Sequence, residues 1–110
     1  MRIEPTPFFV RMLKRLAKKY PSVTADVRAL AQSLEENPTQ GTALRHGAYK
    51  IRLAIRSKNK GKSSGSRVIT CVRIQHDVVY LLDIYDKSDR ENISDKELDT
   101  LIDQIDELED

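Results

Sequence analysis

The chain has 110 residues, 39% of them hydrophobic and 33% charged, with a formal net charge of +2. That length suits one domain, residues 1–110, able to bury its own core, and no apolar run approaches the roughly 20 residues of a membrane helix. Met-Arg-Ile-Glu-Pro lacks the apolar segment of a signal peptide and Cys71 is the sole cysteine, which excludes an internal disulfide and makes a cytoplasmic protein the expectation.

Met1–Glu4 reads as a short edge strand. Thr6 then caps a helix whose first position suits Pro7. Phe9, Met12, Leu13, Leu16 and Tyr20 recur at helical spacing and make its apolar face. Arg11, Lys14, Arg15, Lys18 and Lys19 occupy the rest, either as a solvated face or as a contact to nucleic-acid backbone. Tyr20-Pro21-Ser22 breaks the helix. A second helix runs to about Glu36, with Val23, Val27, Leu30, Ala31 and Leu34 inward, and Asn37-Pro38 stops it. So short a joint predicts an αα-hairpin.

Gly41 and Gly47 bracket a loop, and three strand-like runs follow. Tyr49–Arg56, Arg67–Ile74 and Val78–Lys87 each place apolar residues at every second position. Gln75–Asp77 is short enough to force an antiparallel hairpin. Ser57–Ser66 most simply joins another antiparallel pair, so the three strands are expected to form a meander rather than a parallel sheet. Ser94-Asp-Lys-Glu97 is a capping box that opens a final helix. Leu98, Leu101, Ile102, Ile105 and Leu108 form its stripe. Together these elements predict an α+β fold, with the N-terminal αα-hairpin and the C-terminal helix packed on one face of a small antiparallel sheet.

The small net charge hides a segregation. Residues 1–36 carry net +3, residues 37–76 carry nine Lys/Arg and no acid, and residues 77–110 carry net −10. A forty-residue stretch without a carboxylate predicts a positive surface for a polyanion. The acidic end suits solubility, or charge complementarity within the protein or to a partner. Within the basic block, Ser57–Arg67 gathers Lys58, Lys60, Lys62 and Arg67 with Gly61 and Gly65, whose backbones can take positive φ and approach a ligand closely. Side chains two apart share a strand face. If the cleaner apolar set of each strand meets the helices, the opposite face carries Arg52, Arg56, Arg67, Arg73, Asp83, Tyr85 and Lys87, with Lys58 continuing the parity. Ile69, Cys71, Val79 and Leu81 fall on that face too, so part of it must be covered.

Familiar motifs do not account for this set. Gly61-Lys62-Ser63 matches the end of a phosphate-binding P-loop, but Arg56 stands where the first glycine belongs and the loop leads into a strand. His46 and His76 are lone loop residues, no group has metal-ligand spacing, and no Ser/His/Asp arrangement or cofactor motif is visible. Lys, Arg and Tyr remain, and they are sufficient to cleave RNA. Cations stabilise the pentavalent phosphate. A crowded or desolvated lysine has a lowered pKa and can exchange the proton, and Tyr85 can donate or orient one. The same face could equally bind phosphate without chemistry.

Tyr49-Lys-Ile-Arg-Leu-Ala, Lys58-Asn-Lys-Gly-Lys-Ser-Ser-Gly-Ser-Arg-Val-Ile and Val79-Tyr-Leu-Leu-Asp-Ile-Tyr-Asp-Lys-Ser resemble the RelE/ParE toxin superfamily, its HigB-like branch in particular, over about residues 5–105. The resemblance implies a RelE-like fold and a type II toxin, an mRNA interferase that cuts messenger RNA in the ribosomal A site and is neutralised by a protein antitoxin. With no ligand spacing and no long apolar run, no metal, cofactor or membrane is expected. Carried over by position, the family's site residues are Lys58, Lys60, Lys62, Arg67, Tyr85 and Lys87; Lys58, Lys62, Arg67, Tyr85 and Lys87 are the expected catalytic set, while Lys60, at an exposed loop tip, and Arg52, Arg56 and Arg73 of the sheet face are expected to contact RNA. The chain departs from the pattern after the last basic cluster, where well-studied members have a tyrosine and Ile93-Ser94 stands here; Tyr85 is the candidate substitute. Members that inhibit DNA gyrase share the scaffold, which keeps a non-nucleolytic gyrase inhibitor open as an alternative, as is a plain RNA- or ribosome-binding module.

Overall fold

A computed structural model describes residues 1–57 and 65–109. Local signals set its helices. Thr6 Oγ1 accepts a hydrogen bond from the Phe9 amide at 3.2 Å and opens α1 (Pro7–Lys19), which ends before Pro21. α2 (Val23–Glu36) follows without a side-chain cap; Ser22 Oγ instead donates to Asp26 Oδ2 at 2.8 Å. Phe9 and Leu16 of α1 meet Val23, Val27, Leu30 and Leu34 of α2 in one core. Each such side chain contributes about 1.5–3 kcal/mol by leaving water. At the other end of the chain the capping box forms as expected. The Glu97 amide donates to Ser94 Oγ, the Ser94 amide donates to Glu97 Oε1, both at 3.1 Å, and α3 (Asp95–Glu109) begins there.

Five strands make one sheet: β1 (Arg2–Pro5), β2 (Thr42–Ala43), β3 (Ala48–Leu53), β4 (Ser66–Arg73) and β5 (Val78–Asp86), in the order β1-β5-β4-β3-β2. The β3-β4-β5 meander is antiparallel, as read from the sequence. β1 adds itself parallel to β5, so the sheet is mixed at that edge. Parallel neighbours need a long crossover, and α1, α2 and the strands β2, β3 and β4 all lie between these two. β2 was not expected. Gly41 turns into it at φ +94°, where a Cβ would lie 2.3 Å from the Lys50 carbonyl oxygen, so only glycine lets this segment reach β3.

Helices cover both faces rather than one. α1 and α2 pack on Val68, Leu81 and Ile84, while Leu98, Leu101, Ile102 and Ile105 of α3 pack on Ile69, Cys71, Leu82 and Tyr85. β4 and β5 are apolar on both sides, and each side needs a cover. The parity of β5 also changes along its length. Ile69 pairs with Asp83 but Thr70 with Leu81, which leaves Leu82 as a bulge. Val78, Tyr80 and Leu82 therefore face α3, whereas they were expected on the side of the hairpin, and Leu81 faces α1 instead of the far side. Beyond the bulge, Asp83 and Tyr85 return to the expected face.

Candidate functional site

Arg52, Arg67 and Tyr85 form a row across β3, β4 and β5, Arg52 paired with Arg67 and Arg67 with Tyr85. Directly opposed residues carry their Cβ atoms about 4.5–5.5 Å apart, so two guanidinium groups and a phenol share one small patch. Lys87 lies two residues beyond Tyr85, and its amide donates to the Gly65 carbonyl at 3.3 Å. Gly65 does not take a positive φ. What it supplies is space, since a Cβ there would lie 2.8 Å from the Leu53 carbonyl oxygen.

Part of the row is covered, as Ile69 and Cys71 on the same face required, and the cover is α3 with the segment before it. Arg67 is 7% exposed and Tyr85 6%, while Arg52 stays exposed. Arg67 Nη1 donates to the Ser66 carbonyl at 3.2 Å, and no carboxylate pairs with it among the described residues. A buried cation without an acid is costly, and its like-charged neighbour Arg52 adds to that cost. An anion bound between them relieves both. The Tyr85 hydroxyl is buried with no hydrogen-bond partner among the described residues. Burial pushes its pKa up, partly offset by the nearby Arg90 and Arg67. The phenol is thus protonated at neutral pH and able to donate.

Arg90 was not among the residues singled out from the sequence. Its guanidinium lies 4.2 Å from the Tyr85 ring centroid. It is held there by Asp83 and, at 2.9 Å, by Glu97. Asp83 is 1% exposed; burial pushes its carboxyl pKa up and Arg90 draws it partly back. Arg90 belongs to an acid-rich segment between strand and helix with no periodic pattern, so nothing local marked it. A groove of about 420 Å³ opens beside it, with Arg15 and Lys19 of α1 and Tyr85, Asp86 and Asp89 on its walls.

Two expected site residues stand elsewhere. β3 ends at Leu53, so the parity that put Arg56 with Arg67 does not extend to it. Its Nε instead pairs with Asp26 Oδ1 of α2 at 2.7 Å, on the hairpin side. Arg73 is on the expected face but at the far end of β4, roughly 20 Å from Arg67 at strand rise. There it donates to the His46 carbonyl at 3.1 Å and meets Cys71 Sγ at 2.9 Å. Lys58, Lys60 and Lys62 lie outside the described residues. Among the described residues no three His, Cys, Asp or Glu gather as a metal would require, and no helix is long and apolar enough to cross a membrane.

A sequence profile for the RelE toxin of the RelE/RelB toxin–antitoxin system matches residues 1–108. Among solved structures, a double arginine-to-alanine mutant of E. coli toxin RelE in the free state superposes with a TM-score of 0.56 at 22% identity, over 82% of this chain and 86% of that one. This likeness is one of fold. A search of curated proteins finds no match.

Proposed function

The chain belongs to the RelE toxin family, and from that premise we propose that it is a ribosome-dependent endoribonuclease acting in the cytoplasm on mRNA in the A site, restrained by a protein antitoxin. What supports this reading is the row Arg52–Arg67–Tyr85, in which, among the described residues, a buried arginine paired with no acid stands beside a protonated phenol with no hydrogen-bond partner. In the proposed reaction the ribose 2′-oxygen forms a bond to phosphorus and the bond to the 5′-oxygen breaks. The products are a 2′,3′-cyclic phosphate and a 5′-hydroxyl. Arg67, helped by Arg52, holds the pentavalent phosphate. Tyr85 gives its proton to the leaving 5′-oxygen. Lys58 and Lys62 divide between them removal of the 2′-proton and charge stabilisation, and Lys87 adds a further cation at the same end of β5. Lys60, Arg15 and Lys19 contact RNA backbone around the site. Arg56 and Arg73 are not part of it.

Arg67→Ala tests the reading in cells. Expression should no longer inhibit growth, while the circular dichroism spectrum and antitoxin binding stay as in the wild type. A variant as toxic as the wild type would remove Arg67 from the mechanism. Toxicity with intact messages and lost DNA supercoiling would identify a gyrase inhibitor instead.

A further inference from the structure

Arg90 is a described cation near the row that carboxylates already hold. Asp83 reaches it from β5 and Glu97 from the first turn of α3, so two acids from two elements hold one guanidinium. Asp83 is buried and only one of its oxygens is used; Oδ1 has no partner among the described residues. Arg90, with Phe8, lines two grooves, the one of about 420 Å³ beside Tyr85 and another of about 270 Å³ lined by Asp83, Glu97 and Leu101. A guanidinium neutralised by two carboxylates is a weak clamp for phosphate. Its remaining free surface is planar, and it lies against Tyr85. Such a contact favours a fixed ring position and is strongest when desolvated.

We propose that Asp83, Arg90 and Glu97 form a clamp that positions Tyr85, holding the phenol beside Arg67 without touching the RNA. This rests on the cleavage reading above, in which Tyr85 gives up a proton. Arg90 is then a positioning residue. A donor displaced by about 1 Å costs on the order of 100-fold in rate. Because Glu97 belongs both to the clamp and to the capping box, the start of α3 and the placement of Tyr85 are coupled. The clamp joins the strand that carries the phenol to the helix that covers it.

The test uses the full chain with Arg90→Met, which keeps length and removes charge, and Arg90→Lys, which keeps charge and removes the plane. Glu97→Gln preserves the capping acceptor and removes one acid, so it keeps the test open should Arg90→Met fail to fold. Single-turnover cleavage of mRNA on programmed ribosomes should slow about 100-fold in Arg90→Met, with the half-saturating toxin concentration unchanged. Arg90→Lys should recover only part of the rate, and Glu97→Gln should fall between it and the wild type. A raised half-saturating concentration at unchanged rate would mean that Arg90 binds RNA directly, which overturns the clamp. Ultraviolet titration of the tyrosines, with Tyr85→Phe as the subtraction, gives an arm independent of cleavage. Loss of the cation in Arg90→Met should move the Tyr85 transition to higher pH; an unmoved transition overturns the proposal. A wild type that cleaves nothing refutes the nuclease reading, and the titration still decides whether Arg90 governs Tyr85.

Discussion

At the scale of single residues, chemistry follows from which charges are paired. Arg67 and Arg56 are two residues of one basic block, yet one is buried without an acid among the described residues and the other is exposed and bound to Asp26. Asp26 is 5% exposed and accepts from Ser22 Oγ, the Arg56 amide and Arg56 Nε. Burial alone would raise its pKa, but these hydrogen bonds outweigh it and hold the carboxyl below its ordinary value. Its stabilising contribution is therefore present above the unfolded-state pKa and lost as pH falls through the lower folded value. Arg56 is mostly exposed, so solvent screens the ion pair and the hydrogen bonds carry the effect. Asp26→Asn should cost about 1–3 kcal/mol at pH 7, and urea unfolding should show the gap to wild type closing in acid. Cys71 offers a contrasting case. Burial pushes its thiol pKa up, with Arg73 drawing it partly back, so a thiol reagent should label the folded protein no faster than it unfolds.

Among the elements, β3 was legible because it alternates, and β4, though apolar on both sides, carries Arg67 and Arg73 in one phase, so parity assigns Arg52 and Arg67 a common face. β5 is apolar almost throughout, so its sequence carries no phase, and neither the bulge at Leu82 nor the inversion of Val78, Tyr80 and Leu82 could be read. Arg56 was misplaced because the pattern outlasts the strand by three residues, Ala54 to Arg56. The stripe of α3 showed that the helix is buried but not against which face, so a cover was expected over the row without the helix that supplies it. Arg90 gains its meaning only from Asp83 and Glu97, which the fold gathers around it from a strand and a helix. α3 should be held by its ends and its stripe in measurable parts. Ser94→Ala removes the cap and should cost about 1 kcal/mol in thermal or urea unfolding. Ile105→Ala empties a fully buried position and should cost about 2–5 kcal/mol.

Across the whole molecule, the segregated charges meet in space. Arg45 of the basic block bridges Asp95 at 3.2 Å and Asp99 at 3.5 Å on α3. The acidic helix thus lies on the sheet face that carries Arg52 and Arg67, where its field opposes the approach of any polyanion. Truncating α3 would remove Ile105 from the core as well as the acids, so neutralisation is the cleaner change. Asp103→Asn, Asp106→Asn and Glu107→Gln together alter only exposed positions. They should tighten binding of a non-specific RNA at low salt, with the difference fading as salt screens it; equal affinity would show that α3 does not repel RNA. The nuclease reading itself is tested most directly by mapping RNA ends after brief induction of the wild type and of Arg67→Ala. The wild type should produce new ends within translated messages, 5′-hydroxyl on one fragment and 2′,3′-cyclic phosphate on the other, and Arg67→Ala should produce none. Growth arrest by the wild type without such ends would contradict it.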